Sequence, residues 1–243
     1  MKISKLRTVW IIFVSGLYTL NTTGQSVIKQ FLGTTNRSWV DKTIQIWVHR
    51  VLKLVRVKCH VINPYHVEPQ PGQLTIVMCN HTSLYDIPLS MLAFPHHSLR
   101  MLAKKEMSKI PIVGKGMTAA EFPFIDRKNK RQAIKDLEEV QHLLASGIVM
   151  WIAPEGTRSK DGKLAPFKKG AFITAIQSKA TIIPIGIRGA FDILPARTCQ
   201  FNINQTAEVH IGQAIDASTF TLEHKDELIQ KVFESMKALV EKP

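Results

Sequence analysis

The sequence predicts an α/β protein: a mixed, largely parallel sheet flanked by helices, with a two-helix arm at the N-terminus. Three observations lead there. Short apolar runs of strand length recur at Leu74 to Cys79, Ile148 to Ile152 and Thr181 to Ile187. Between them lie stretches whose apolar residues repeat at helical steps, and this alternation builds parallel sheets covered by helices. The first 56 residues break the alternation with two consecutive helix-like segments. The boundary therefore falls there, with an arm over 1–56 and an α/β domain over 57–243.

The arm opens with Lys2, Lys5 and Arg7, then a mostly apolar run from Val9 to Leu20. A membrane-spanning helix needs about 20 such residues. Three readings fit this shorter run: a signal peptide with a poor cleavage site at Thr22-Thr23-Gly24, a short transmembrane helix, or one arm of an interfacial hairpin. A polar stretch, Gly33 to Asn36, separates it from a second segment, Ser38 to Arg56. There Val40, Ile44, Trp47, Val48, Val51 and Val55 recur at three- and four-residue steps. Asp41, Lys42, Gln45, His49, Lys53 and Arg56 fill the other side. The pattern fits a helix packed on a core, or one lying in the membrane interface with Trp39, Trp47 and a cationic edge.

Charge favours the interface. The net charge of the 243-residue chain is +13, and residues 1 to 60 hold ten Lys and Arg against the single acid Asp41. Thus +9 of the +13 sits in the first quarter. The basic residues are interleaved with aliphatics and tryptophan and match no nucleic-acid motif. The expected partner is a membrane lipid bilayer and not nucleic acid, which makes the arm a membrane-interface two-helix arm. Cys59, Cys79 and Cys199 are odd in number and lack metal-like spacing, which points away from a disulfide framework and to a reducing compartment.

Past the arm, Val57 to Val61 alternates and reads as an outer strand, and Pro69 to Gly72 as a turn. Leu99 to Ala103 is a further strand candidate. Asn129 to Ser146 reads as a helix capped by Asn129 and stopped by Gly147, with Ala133, Ile134, Leu137, Val140 and Leu144 inward. Lys168 and Lys169 open another helix. In the strand at 181 to 187, Pro184 suggests an edge or a bulge. Ala207 to Ile211 is a last strand. A closing helix starts from about Ser218 with Leu222, Ile229, Val232, Phe233, Met236 and Leu239 inward.

The stretch Asn80-His81-Thr82-Ser83-Leu84-Tyr85-Asp86 follows the buried run 74 to 79 directly. Thr82 and Ser83 are good N-cap residues for a helix that starts just beyond. A His at the strand exit can fold over the first helical turn, and Asp86 there can accept its N–H and fix its tautomer. The other ring nitrogen is then free to take a proton from an alcohol, so the substrate brings its own nucleophile. The plainer alternative is a turn His beside a first-turn Asp that suits the helix dipole. Cys79 and His81, two apart, also leave a Cys–His nucleophilic pair open, although buried Cys is commonly a small hydrophobe.

Three further segments follow in order: Phe122-Pro123-Phe124-Ile125-Asp126-Arg127, Pro154-Glu155-Gly156-Thr157-Arg158, and Ile182 to Ile187. With the His81/Asp86 pair they resemble the four motifs of the glycerolipid acyltransferases, specifically the lysophosphatidic acid acyltransferase family. Ala103-Lys104-Lys105-Glu106 and Pro166 to Phe172 also look like that family. The resemblance covers residues 74 to 190 well and the rest in outline.

The resemblance implies transfer of an acyl group to the free hydroxyl of lysophosphatidic acid, forming phosphatidic acid. In it His81 is the general base and Asp86 its orienter. Arg127 and Arg158 hold the acceptor phosphate through planar donor forks. Glu155 holds Arg158, Gly156 permits a tight turn, Thr157 adds a hydroxyl, and Lys104 or Lys105 adds charge, the resemblance favouring Lys104. Backbone N–H groups near Gly156 or Pro184-Ile185 are the oxyanion candidates, and Ile182 to Ile187 shapes the acyl pocket. The co-substrate is acyl-CoA or acyl-carrier protein, with no cofactor. Because that donor is cytosolic, the expected location is a membrane's cytoplasmic face, not export. Six histidines, His60, His66, His96, His97, His142 and His210, have no metal-ligand spacing, so no metal is expected. The rivals are another acceptor (a lyso-aminolipid, glycerol phosphate or lysocardiolipin) and a non-catalytic basic membrane-binding scaffold. An α/β hydrolase would need a G-x-S-x-G elbow, and none is present.

Overall fold

The computed structural model describes residues 3–241. The arm is two helices, α1 (Lys5–Phe31) and α2 (Arg37–Leu54). Helix α1 runs well past the apolar stretch, and hydroxyls in its polar half bond back along the helix. Thr19 donates to the Ser15 carbonyl, Thr23 to that of Thr19, and Ser26 to that of Thr22. Among the described residues no helix is long and apolar enough to cross a membrane.

The chain continues as β1 (Lys58–Ile62), β2 (Thr75–Cys79), α3 (Asp86–Ala93), β3 (Leu99–Met101), β4 (Ala103–Lys104), α4 (Lys105–Ser108), α5 (Val113–Ala119) and β5 (Phe124–Ile125). It then forms α6 (Lys130–Ala145), β6 (Val149–Ile152), α7 (Gly170–Gln177), β7 (Thr181–Arg188), α8 (Ala190–Ile193), β8 (Thr206–Ile211), β9 (Ile215–Asp216) and α9 (Lys225–Val240). The main sheet has the order β1-β8-β7-β2-β6-β3, with β9 also on β7. Strands β7, β2, β6 and β3 run parallel, β8 and β9 run antiparallel to β7, and β1 is parallel to β8 at the outer edge. This is the mixed, largely parallel sheet that the alternation predicts. β4 and β5 pair as a separate two-stranded ribbon.

Both faces of the sheet are covered. Along β2, Val77 and Cys79 face a core shared with α2 and α3, and Ile76 and Met78 face one shared with α6, α7 and α9. A strand buried on both sides reads as a continuous apolar run, which is why β2, β6 and β7 are visible in the sequence. The stripe of Val40, Ile44, Val48, Val51 and Val55 is buried, and all but Val51 share one core with Val77 and Ile183. The apolar face of α2 therefore packs on the sheet. The exposed apolar face of the arm belongs to α1, where Trp10, Phe13 and Leu17 lie in the open.

Several sequence expectations need correcting. The closing helix begins at Lys225; Ser218 lies in a 3-10 turn, and Leu222 is outside the helix and 40% exposed. Leu228 takes the inward place, in step with Val232 and Met236. On α6, Asn129 does accept the Gln132 N–H, but Ile134 faces outward. The apolar stretch ending in Arg127 yields only the two-residue strand β5. Pro184 is not at an edge: β7 is paired on both sides. Ile183 and Pro184 lie opposite Gly212, Gln213 and Ala214, between the β8 and β9 registers. That two-against-three mismatch is a bulge, and it spares the proline a ladder N–H. The short helices α4, α5 and α8 were not foreseen.

Candidate functional site

The central strand β2 is followed directly by Asn80, whose side chain is a clamp. Its amide nitrogen donates to the Ile187 carbonyl at 3.0 Å, and its amide oxygen accepts the Ile187 N–H at 2.7 Å. This fixes the strand exit against the end of β7, so the next residue leaves at the carboxyl edge of the sheet, where open α/β sheets bind their ligands. That residue is His81. Its Nδ1 lies 2.9 Å from Oδ2 of Asp86, and its ring is 16% exposed.

Asp86 is fully buried, and the same Oδ2 accepts the N–H groups of Thr82 at 2.7 Å and Ser83 at 2.8 Å. The roles in this turn are thus reversed from the capping expectation. Thr82 and Ser83 do not cap α3; Tyr85 holds the cap position without a side-chain bond, and Asp86 folds back onto the turn's donors. Three donors on one oxygen leave the carboxylate no freedom. Oδ2 accepts, so Nδ1 carries the hydrogen and Nε2 keeps its lone pair. Trp151 stands edge-on to the imidazole at 5.7 Å between centroids. The indole N–H donates to Ser90 Oγ, which donates to the Asp86 carbonyl, so the far side of the pair is held as well.

The loop after β6 lies over His81. The His81 N–H donates to Oε1 of Glu155 at 2.7 Å, and the His81 carbonyl accepts the N–H of Ser159 at 2.7 Å. These two bonds bracket Gly156, Thr157 and Arg158. Gly156 has φ +75, which glycine adopts without strain. Glu155 does not hold Arg158: its carboxyl oxygens accept the backbone N–H groups of His81 and Ala165. Burial is the main cause that raises this carboxyl to about 7, against the pull of those two bonds. Arg127 reaches the same loop by donating from Nη1 to the Gly156 carbonyl. Arg158 makes no side-chain bond or ion pair among the described residues. Lys104 is exposed and ends β4 beside Ile125, two residues before Arg127, and Thr157 is exposed on the loop. The structure thus gathers His81, Asp86, Arg127 and the 155–158 loop, with Lys104 on the adjoining ribbon. Sequence reasoning missed Asn80, Ser159 and Trp151; only Asn80 carried a local signal, as a polar residue ending a buried strand.

Of the oxyanion candidates, the Gly156 N–H is taken by the Ala153 carbonyl, Pro184 has none to offer, and Ile185 lies within the paired strand. The N–H groups of Thr157 and Arg158 have no partner among the described residues. The Cys79 thiol is wholly buried and bonds toward the Asn80 carbonyl. Burial, then the Asp86 charge, pushes its pKa well above the usual thiol range, which unfits it as a nucleophile. An apolar cavity of about 330 Å³ lies between the arm and the domain, lined among others by Trp47, Tyr85, Met91, Met117 and Phe201. Leu84 and Tyr85 of the His81–Asp86 turn form part of its wall. No residue of Ile182 to Ile187 does, so that strand is core and not pocket lining.

Residues 58–188, just over half of the chain, match the family model described as Acyltransferase. The chain belongs to the Acyltransferase family. The matched region of this acyltransferase begins at β1 and ends with β7, and so contains every residue gathered above. A 1-acyl-sn-glycerol-3-phosphate acyltransferase alpha from Ovis aries is 34% identical over 145 residues, covering 59% of this chain and 50% of that protein. A 1-acyl-sn-glycerol-3-phosphate acyltransferase from Cocos nucifera is 38% identical over 130 residues, covering 52% of this chain and 42% of that one. The matches thus span half or less of these two relatives. The solved structure of PlsC from Thermotoga maritima, described as a 1-acyl-sn-glycerophosphate (LPA) acyltransferase, superposes with a TM-score of 0.80 at 28% identity. It covers 96% of this chain and 92% of that one, so the likeness takes in the two-helix arm.

Proposed function

We propose that this acyltransferase moves an acyl group from a thioester, acyl-CoA or acyl-carrier protein, to the free hydroxyl of lysophosphatidic acid, giving phosphatidic acid. The observation that carries the reading is the His81–Asp86 contact at 2.9 Å, set beneath a loop that brings Arg127 and Arg158 to the same edge of the sheet. Nε2 of His81 takes the proton from the hydroxyl as that oxygen attacks the thioester carbonyl. The tetrahedral oxyanion is met by the free N–H groups of Thr157 and Arg158. The carbon–sulfur bond then breaks, and the departing thiolate takes the proton back from the imidazolium. Asp86 holds the ring throughout and offsets its transient charge. Its Oδ1 is buried without a hydrogen-bond partner, so the carboxylate's field on the ring is little screened.

Arg127 and Arg158 grip the acceptor phosphate, with Lys104 adding charge from the ribbon. Arg158 is the better placed of the two arginines, because it gives up no existing bond to do so. The acyl chain lies in the cavity between the arm and α3, whose volume suits a small organic ligand. Helix α1, with its exposed apolar side chains and the arm's excess of Lys and Arg, lies in a membrane interface on the cytoplasmic side, where the thioester donor is found. Purified protein offered a panel of lysolipids and the two donors, read by mass spectrometry, tests this. Phosphatidic acid from lysophosphatidic acid is the expected product; acylation of only an uncharged lysolipid, or of a lyso-aminolipid, would replace the acceptor, and no product with any of them would remove the activity.

A further inference from the structure

The exposed apolar side chains of α1 make a stripe with one gap. Trp10, Phe13, Leu17 and Leu20 follow at three- and four-residue steps, as do Ile28 and Phe31. Between Leu20 and Ile28 the position in step is Gly24, which has no side chain. Ile112, from the loop between α4 and α5, fills the gap: its Cγ2 is 3.9 Å from where a Gly24 Cβ would stand. Ile112 is 50% exposed and Ile110 46% exposed, with Pro111 exposed between them. Lys109 and Lys115 flank the three, exposed and with no side-chain hydrogen bond or ion pair among the described residues.

Helix α5, which follows the loop, packs closely on α1 and α4. A Cβ at Gly116 of α5 would lie 2.4 Å from Cβ of Thr23, and one at Gly114 would lie 2.0 Å from the Ser108 carbonyl oxygen. Ile112 has φ 64 and ψ −53 and is the centre of a three-residue turn closed by the Val113 N–H on the Pro111 carbonyl at 2.7 Å. That turn is the strained form with positive φ, and a β-branched residue is the worst suited to it. A half-exposed isoleucine in such a turn gains nothing from water that glycine would not match. Strain of this kind points to a use for the side chain itself.

We infer that residues 109–115, the α4–α5 loop with the first turn of α5, form a second bilayer contact, continuous with the α1 stripe and separate from the arm. Ile110 and Ile112 enter the acyl boundary beside Leu20 and Ile28, and Lys109 and Lys115 meet anionic headgroups. The inference rests on the reading that α1 lies in the interface. Two contacts from different parts of the chain set the tilt of the domain, and only the four-residue α4 separates this loop from Lys104.

The test is flotation of the full chain with phosphatidylcholine vesicles, with and without about one-third phosphatidylglycerol, beside melting temperatures. Ile110→Ser with Ile112→Gly is expected to weaken partitioning roughly tenfold with the melting temperature held or raised, since glycine takes the positive φ freely. Lys109→Glu with Lys115→Glu is expected to weaken binding only where phosphatidylglycerol is present. If the isoleucine variant binds as tightly as the native chain while Trp10→Ser with Phe13→Ser is released, the loop contact is overturned and the α1 reading stands. If neither variant weakens binding, both fall. Lipid-free self-association that the isoleucine changes abolish would make this face an interface between copies and overturn the bilayer assignment.

Discussion

The backbone N–H of His81 donates to Oε1 of Glu155 at 2.7 Å, so the candidate base is positioned by a carboxyl that burial holds near 7. The folded chain keeps a proton on Glu155 that the unfolded chain releases nearer 4.5. A carboxyl raised in the folded state contributes stability fully below its unfolded value and loses it as pH rises through the folded one. The native protein is therefore expected to lose melting temperature between about pH 4.5 and 7 more steeply than Glu155→Gln. The variant itself sits lower at pH 6 by about 1 to 3 kcal/mol, because one backbone N–H then faces an amide NH₂. Thermal melts across that range decide it; parallel slopes would mean that Glu155 is ionised throughout.

His81→Ala is expected to fold and to lose about 10² to 10⁴ in kcat. Asp86→Asn is expected to lose rate as well, since an amide group at Oδ2 can favour the wrong tautomer. Cys79→Ser is expected to stay active. Steady-state rates with circular dichroism on each variant check this, and near-native turnover by folded His81→Ala would remove the mechanism.

The arginines are expected to separate by stability. Arg158→Ala breaks no bond in the folded chain and is expected to leave the melting temperature unchanged, while weakening a phosphate-bearing acceptor by about 1.5 to 3 kcal/mol. Arg158→Lys is expected to stay impaired, because an ammonium lacks the planar fork. Arg127→Ala also frees the Gly156 carbonyl and is expected to show a similar acceptor defect with a small loss of melting temperature. Equal losses on charged and uncharged acceptors would turn both residues into structural ones.

Arg100 is 1% exposed, pairs with Asp41 at 2.7 Å, and donates to the Ala120 and Leu99 carbonyls. Asp41 is on α2, so this pair fastens the arm to β3. Asp41→Ala strands a buried guanidinium and is expected to cost about 3 to 5 kcal/mol in denaturant unfolding. A loss below about 1 kcal/mol would mean that water reaches Arg100.

Deleting residues 1–56 is expected to give an aggregating product, because α2 supplies one wall of the core on that face of the sheet. Size-exclusion chromatography of the truncated chain is the check. A soluble, cooperatively melting fragment would show that the arm is a separable unit.

Local pattern determined what lies close in sequence. Each buried strand is a run of apolar residues whose two faces are both covered, so β2, β6 and β7 were legible without knowing what covers them. His81 and Asp86 were legible because a turn of the four residues between them suffices to bring them together. Tertiary structure alone decided the rest. The Asn80–Ile187 clamp joins residues 107 apart and exists only because β2 lies beside β7. Glu155 reads equally well as a partner for Arg158, and only the loop's path over His81 turns it inward to two backbone donors. The stripe of α2 suits a bilayer or a sheet alike, since amphipathicity records a buried face without naming what buries it. Helices α4, α5 and α8 are four to seven residues long, too short to show a period. The strained turn at Ile112 likewise has no mark in the sequence, because the glycines that lock it in place act through close contacts with Thr23 and Ser108.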